Sequence, residues 1–227
     1  MYAFDEEDGV IETTNNSISK TFNRMGIGLL ITAIVAYLTF SSGWYIKLLI
    51  GSSYTLLAIA EIAVVLIFSL MFRKLSPTMV TFLFYIYAVL NGVTLSVIFA
   101  IYTMENIFSA FVMSSLLFIG LSIYGERTEK DLTKLGTIFS VGLIVGLIFS
   151  VINLFLNSSM LMIAIDWAML FLFCGITAYD MNKIKYMQQY VECDEEKIYV
   201  YCAMQLYLDF INIFIRLLSI MSRGKRR

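Results

Sequence analysis

Residues 202–218 read CAMQLYLDFINIFIRLL. The stretch is apolar enough for the middle of a bilayer, yet it holds Gln205, Asp209, Asn212 and Arg216. From position 205 the steps are four, three and four, so all four polar side chains fall on one face of a helix. A polar stripe on a lipid-soluble helix must face protein or water. Ionisable groups at that depth are costly and mark a pathway or a relay. Asp209 is the hardest of the four to explain as a surface residue. It stands about midway along its segment, and its side chain is too short to reach the interface.

The remainder of the chain fits a membrane reading. Hydrophobic residues make up 59% of the 227 and charged ones only 15%, with a mean hydropathy of +0.82; a soluble protein of this length needs far more charge to cover its surface. A single proline argues against a loop-rich β architecture. The class is therefore an all-α membrane protein whose main partner is the lipid bilayer. A net charge of −1 gives no electrostatic footprint for nucleic acid. No histidine is present, which removes the commonest catalytic base, zinc ligand and pH switch. Proton sensing near neutrality then falls to carboxylates or cysteines. Cys174, Cys193 and Cys202 have no metal-binding spacing and read as inert.

A helix needs about 20 apolar residues to cross the hydrocarbon. Seven segments qualify: 25–42, 55–72, 78–101, 107–124, 136–156, 160–181 and 198–221. The third begins just after the sole proline, Pro77, which suits a helix start. The fifth carries Gly142 and Gly146, a spacing that permits close helix packing. Short connections leave no room for a soluble domain. The organisation read is an acidic flexible tail over 1–20, a seven-helix domain over 21–222 and a basic tail over 223–227. The acidic run Asp5, Glu6, Glu7, Asp8 is the opposite of a signal peptide's basic start.

Lysine and arginine set the orientation. One side of the membrane collects Lys20, Arg24, Arg73, Lys74, Arg127, Lys130, Lys134, Lys183, Lys185 and Lys197; the other has Lys47. This places the N-terminus in the cytoplasm. Seven full crossings then put the basic end SRGKRR on the outer side, against the same rule. The alternatives are that the upstream charges dominate or that the seventh segment is re-entrant; the reading taken is a full crossing.

Four acids lie within or at the edges of these segments. Asp166, beside Trp167, reads as an interfacial residue. Glu61 suits either a hydrogen bond to another helix or a place on a pathway. Asp180, in CGITAYDMNKIK, could pair with Lys183 or Lys185 at the interface. Asp209 has no such local explanation.

The stretches GITAYDMNKI and AMQLYLDFINIF resemble the signatures of the Bax inhibitor-1 (TMBIM) family, and GERTEKDLTKLG and NGVTLSVIF are similar to its bacterial members. The resemblance covers almost the whole chain beyond the acidic N-terminus. It implies a bundle of six helices around a central seventh, and a pH-dependent leak of calcium across the membrane. It also implies that Asp180 and Asp209 share a proton near the cytoplasmic side, close the path and act as transient calcium ligands. Two carboxylates in contact at low dielectric cannot both ionise easily, which would give a histidine-free protein a proton switch. A basic residue at the cytoplasmic end of the second helix is implied as countercharge in the open state. Arg73 or Lys74 fits, and Arg73 is preferred for its bidentate pairing with carboxylates. Gln205, Asn212, Glu61 and Arg216 are candidates for lining the path, although Arg216 could equally snorkel to the headgroups. No cofactor is implied; calcium is the permeant ion. A bacterial plasma membrane is implied, with an ER- or Golgi-type membrane as the alternative.

Three rival functions fit less well. Intramembrane aspartyl proteases also place acids on their sixth and seventh helices, the first in a Tyr-Asp pair like Tyr179-Asp180. Their second acid follows Gly-x-Gly, where this chain reads Leu-Tyr-Leu, and their Pro-Ala-Leu motif is missing. The protein is accordingly not read as an enzyme. A proton- or cation-coupled transporter using the same acids is the closer rival. A regulator acting through protein contacts is the third, and no sequence feature tests it.

Overall fold

A computed structural model describes residues 4–50, 53–132, 134–190 and 194–224, with side chains from Ser17 onward except over 185–190 and at 224. Cys193, the side chain of Lys185 and the final Lys225, Arg226 and Arg227 lie outside the described residues. Every regular element among those described is a helix: α1 (Phe4–Ser41), α2 (Tyr45–Ile50), α3 (Ser53–Met71), α4 (Pro77–Leu95), α5 (Ile98–Ile101), α6 (Met104–Arg127), α7 (Leu135–Leu156), α8 (Ser159–Tyr190) and α9 (Glu195–Gly224). Seven spans within them are long and apolar enough to cross a membrane: Ser17–Ser41, Ser53–Met71, Pro77–Ile101, Met104–Arg127, Leu135–Leu156, Ser159–Ile184 and Glu195–Arg223. They coincide with the seven segments read from sequence.

The differences lie at helix ends. α1 starts at Phe4, so the acidic segment expected as a flexible tail is helical from there on. Acidic residues at a helix N-terminus complement its dipole. α8 runs on to Tyr190, well beyond the apolar segment, because MNKIKYMQQY contains no helix breaker. The third span is broken after Leu95. There the Ser96 amide is shared between the Gly92 and Val93 carbonyls, and its hydroxyl donates to Val93 O at 2.6 Å. Such back-bonding by serine bends or ends a helix. Ser76 caps α4 by accepting from the Met79 amide, with Pro77 in the first turn. α9 is a single unbroken helix of 30 residues, about 45 Å at 1.5 Å per residue. A re-entrant seventh segment would need a turn within it, and there is none.

The chain forms two compact units, one of Met1–Ile101 with Met187–Tyr207 and one of Tyr102–Tyr186 with Leu208–Arg227. α9 thus gives its first half to one and its second half to the other. In the first unit the start of α9 is tied down by polar and aromatic contacts. Arg24 pairs with Glu196, and Ser17 Oγ donates to Tyr199 Oη at 3.3 Å. The buried Lys197 donates to the Arg73 carbonyl at 3.1 Å, which satisfies an orphan acceptor just past the end of α3. Tyr201 stacks on Phe68 with ring centroids 5.9 Å apart.

In the second unit α8 and α9 are joined by a hydrophobic cluster including Ile165, Met169, Phe173 and Ile176 with Ile213 and Leu217. Gly142 and Gly146 bring α7 against α8: a Cβ at either would run into the side chains of Leu172 and Met169 respectively. Gly125 is more tightly confined, since a Cβ there would strike the backbone carbonyl of Ala178 on α8. That contact is beside Asn182, whose side-chain amide donates to Gly125 O at 3.2 Å. Backbone cannot give way as a flexible side chain can. Gly125→Ala should therefore destabilise the protein by about 1–3 kcal/mol, the usual cost of overpacking. Thermal unfolding in detergent with an unchanged midpoint would contradict this.

Candidate functional site

α9 is the most buried of the seven spans: 72% of its most apolar window is buried, against at most 39% in any other. On its polar stripe Asp209 is buried, while Gln205, Asn212 and Arg216 are half-buried. The structure extends that stripe, because Ser219 and Arg223 continue the same face by steps of three and four. Residues 205, 209, 212, 216, 219 and 223 form one polar line along the helix.

Asp209 is 3% exposed and Asp180, on α8, 6%. Asp209 feels the charge of Asp180. Asp180 also feels the Lys183 ammonium, which sits 5.9 Å from the Tyr179 ring centroid. The Oδ2 atom of Asp209 is buried without a hydrogen-bond partner. Native proteins rarely leave such an atom, and it is where a proton, water or cation gains most by binding. Phe210, the next residue, packs edge-on against Phe111 and Phe118 of α6 at 5.8 and 5.6 Å, which fixes the rotation of α9 at this level.

Two other stripe residues take different roles. Asn212 turns its amide back onto α9, donating to Leu208 O at 2.8 Å. Arg216 does not snorkel free: its Nη1 donates to Asp166 Oδ1 at 2.9 Å. Asp166, expected to reach the interface beside Trp167, is instead 3% exposed. It accepts from Ser219 Oγ at 2.7 Å and lies 3.2 Å from Arg223 Nη2. Gln205 is half-buried in the first unit.

Glu61 is half-buried on α3 and accepts from Thr94 Oγ1 of α4 at 2.6 Å, a bond to another helix. Asn91 reaches the same carboxyl. It also accepts from Tyr207 Oη at 3.1 Å, and that hydroxyl is 2.6 Å from Thr32 Oγ1. This network locks Tyr207, two residues before Asp209, to α1 and α4. Arg73 is exposed in the turn that follows α3. Cys202 is buried and Cys174 half-buried. No cluster of three metal-ligating acids, cysteines or histidines occurs among the described residues.

Seven apolar helices, two of them carrying the buried acids Asp180 and Asp209, define a polytopic integral membrane protein with an ionisable interior. The chain belongs to the Bax inhibitor-1 family: the family described as "Inhibitor of apoptosis-promoting Bax1" matches residues 14–227. It is 36% identical over 236 residues to the inner membrane protein YbhL of Escherichia coli, covering all of both chains. It is 38% identical over 233 residues to a protein of Borreliella burgdorferi named only as uncharacterized, covering 100% of this chain and 99% of that one. A membrane protein of Streptococcus pyogenes, likewise named uncharacterized, is 35% identical over 216 residues, or 92% of this chain and 93% of that one.

Proposed function

We propose that this protein is a pH-sensitive calcium leak of a bacterial inner membrane, gated by Asp180 and Asp209. The observation that carries the reading is the buried Asp209 carboxyl, with one oxygen unpartnered and Asp180 within electrostatic reach. Membership of the Bax inhibitor-1 family and the inner-membrane name of one relative support it. With one proton between them the two acids carry a single charge and hold α8 to α9. Loss of that proton sets two like charges against each other and separates the helices. Calcium then exchanges onto the freed oxygens in passing, and Arg73 serves as countercharge.

Calcium flux into liposomes holding the purified protein, measured across pH 5 to 8, tests the proposal. Passive flux that rises with pH is expected. Saturable flux against a gradient would instead mark a coupled transporter, and no calcium flux at any pH would defeat the reading. The N-terminus, the connections containing Arg73 and Lys130, and the end of α8 at Lys185 should lie together in the cytoplasm. Single-cysteine labelling that puts the 127–134 loop on the side opposite the N-terminus would contradict that topology.

A further inference from the structure

The polar line on α9 does not end at Asp209. Two turns beyond Asp209 it meets Arg216, and two turns further Arg223, with Asp166 of α8 between them. One carboxylate faces two guanidinium groups: Asp166 Oδ1 takes Arg216 at 2.9 Å and Oδ2 takes Ser219 at 2.7 Å and Arg223 at 3.2 Å. The cluster therefore carries one net positive charge. Asp166 is 3% exposed, so this is not a loose surface pair. Arg216 is held without being saturated, because its Nε is buried and has no hydrogen-bond partner. Asp166 has no acidic neighbour in the cluster to balance the second arginine. Arginine cannot be neutralised at any working pH, so the excess charge is permanent.

We propose that Arg216, clamped by Asp166, is a fixed positive charge on the path along α9 that slows cations relative to anions at the C-terminal end of the helix. The reading of this face as a path rests on the proposed function; the sign of the barrier rests on the cluster alone. Positive rings and single arginines exclude cations from pores in this way. Calcium crossing the acid pair still meets two guanidiniums before leaving. Asp166 then sets the height of the barrier by offsetting one of them.

The test reads charge selectivity directly and needs no calcium. In the full chain with Cys174, Cys193 and Cys202 replaced by serine, Asn212→Cys places one thiol about 6 Å along the helix behind Arg216, at 1.5 Å per residue. Proteoliposomes are treated, from the side bearing the C-terminus, with a cationic trimethylammonium or an anionic sulfonate thiosulfonate reagent of similar size. Each rate is divided by that of the same reagent with a small thiol in solution. The sulfonate should be favoured by at least about tenfold, the lower end of what local fields do to ion concentration. Arg216→Gln should abolish the preference, Arg216→Lys should keep it, and Asp166→Asn should increase it. If Arg216→Gln alone does not fold, with Asp166 left unpaired, the Asp166→Asn/Arg216→Gln pair removes both charges and should also lose most of the preference. An unchanged ratio in the charge-removing variants overturns the proposal. So does a thiol that neither reagent reaches in any variant, since no route then passes Arg216. Calcium flux in the same vesicles separates the two ideas: a ratio that shifts as expected with no calcium flux leaves the barrier standing and defeats the calcium reading.

Discussion

Asp209→Asn should abolish the pH dependence of calcium flux while leaving the protein folded in the membrane. The amide matches the carboxyl in volume but cannot titrate, so it isolates charge from packing. Two unit charges roughly 4 Å apart at an effective dielectric of about 20 repel by about 4 kcal/mol. At about 1.4 kcal/mol per factor of ten, even a third of that energy changes an opening equilibrium about tenfold. A loss of about tenfold in the pH response is therefore the expected scale. Burying an amide group that lacks a full set of partners costs about 1–3 kcal/mol, so monodispersity and thermal unfolding should accompany the flux. A folded variant that keeps the wild-type pH profile would make Asp209 a structural residue and nothing more.

The stripe on α9 was legible because it is local: a helix repeats every 3.6 residues, and the steps from 205 to 216 follow that period within one segment. The seven spans were legible for a similar reason, since hydropathy reports directly on the solvent. Helix ends were not. Hydropathy marks where the apolar run stops, whereas the backbones of α1 and α8 stay helical beyond it. Ser219 and Arg223 continue the stripe in the sequence too, but Arg223 falls in the basic tail read over 223–227 and Ser219 is not singled out.

The partner of Arg216 was hidden more deeply. Asp166 lies 50 positions away, and its meeting with Arg216 depends on the register of α8 against α9, which no period within either segment fixes. The same holds for Glu61 and Thr94 and for Tyr207 and Asn91, each joined across two helices. Long polar side chains in a membrane segment announce that they have a partner without saying which. That asymmetry explains why Asp166 was read as interfacial and proved to be a buried acid at the centre of a half-buried cluster.

Asp180 and Asp209 should behave as one titrating unit, and a double-mutant cycle exposes that more sharply than either substitution alone. Asp180→Asn and Asp209→Asn each remove one of the two charges whose mutual repulsion is proposed to part α8 from α9. Once either is neutral, no pair of like charges remains for the second substitution to relieve. The double variant should therefore change flux by clearly less than the sum of the two single effects. Coupled residues in one network show interaction energies of about 0.5–3 kcal/mol, so the shortfall should reach about 1 kcal/mol, roughly fivefold in rate, at pH 8. At pH 6, where the proposed gate would retain its shared proton, the coupling should shrink, because the repulsive state would be little populated. The two pH values thus predict different non-additivities from the same four proteins, which a merely structural contact between the residues would not produce. Strict additivity at both would show that the acids act independently, and the shared-proton gate would have to be given up.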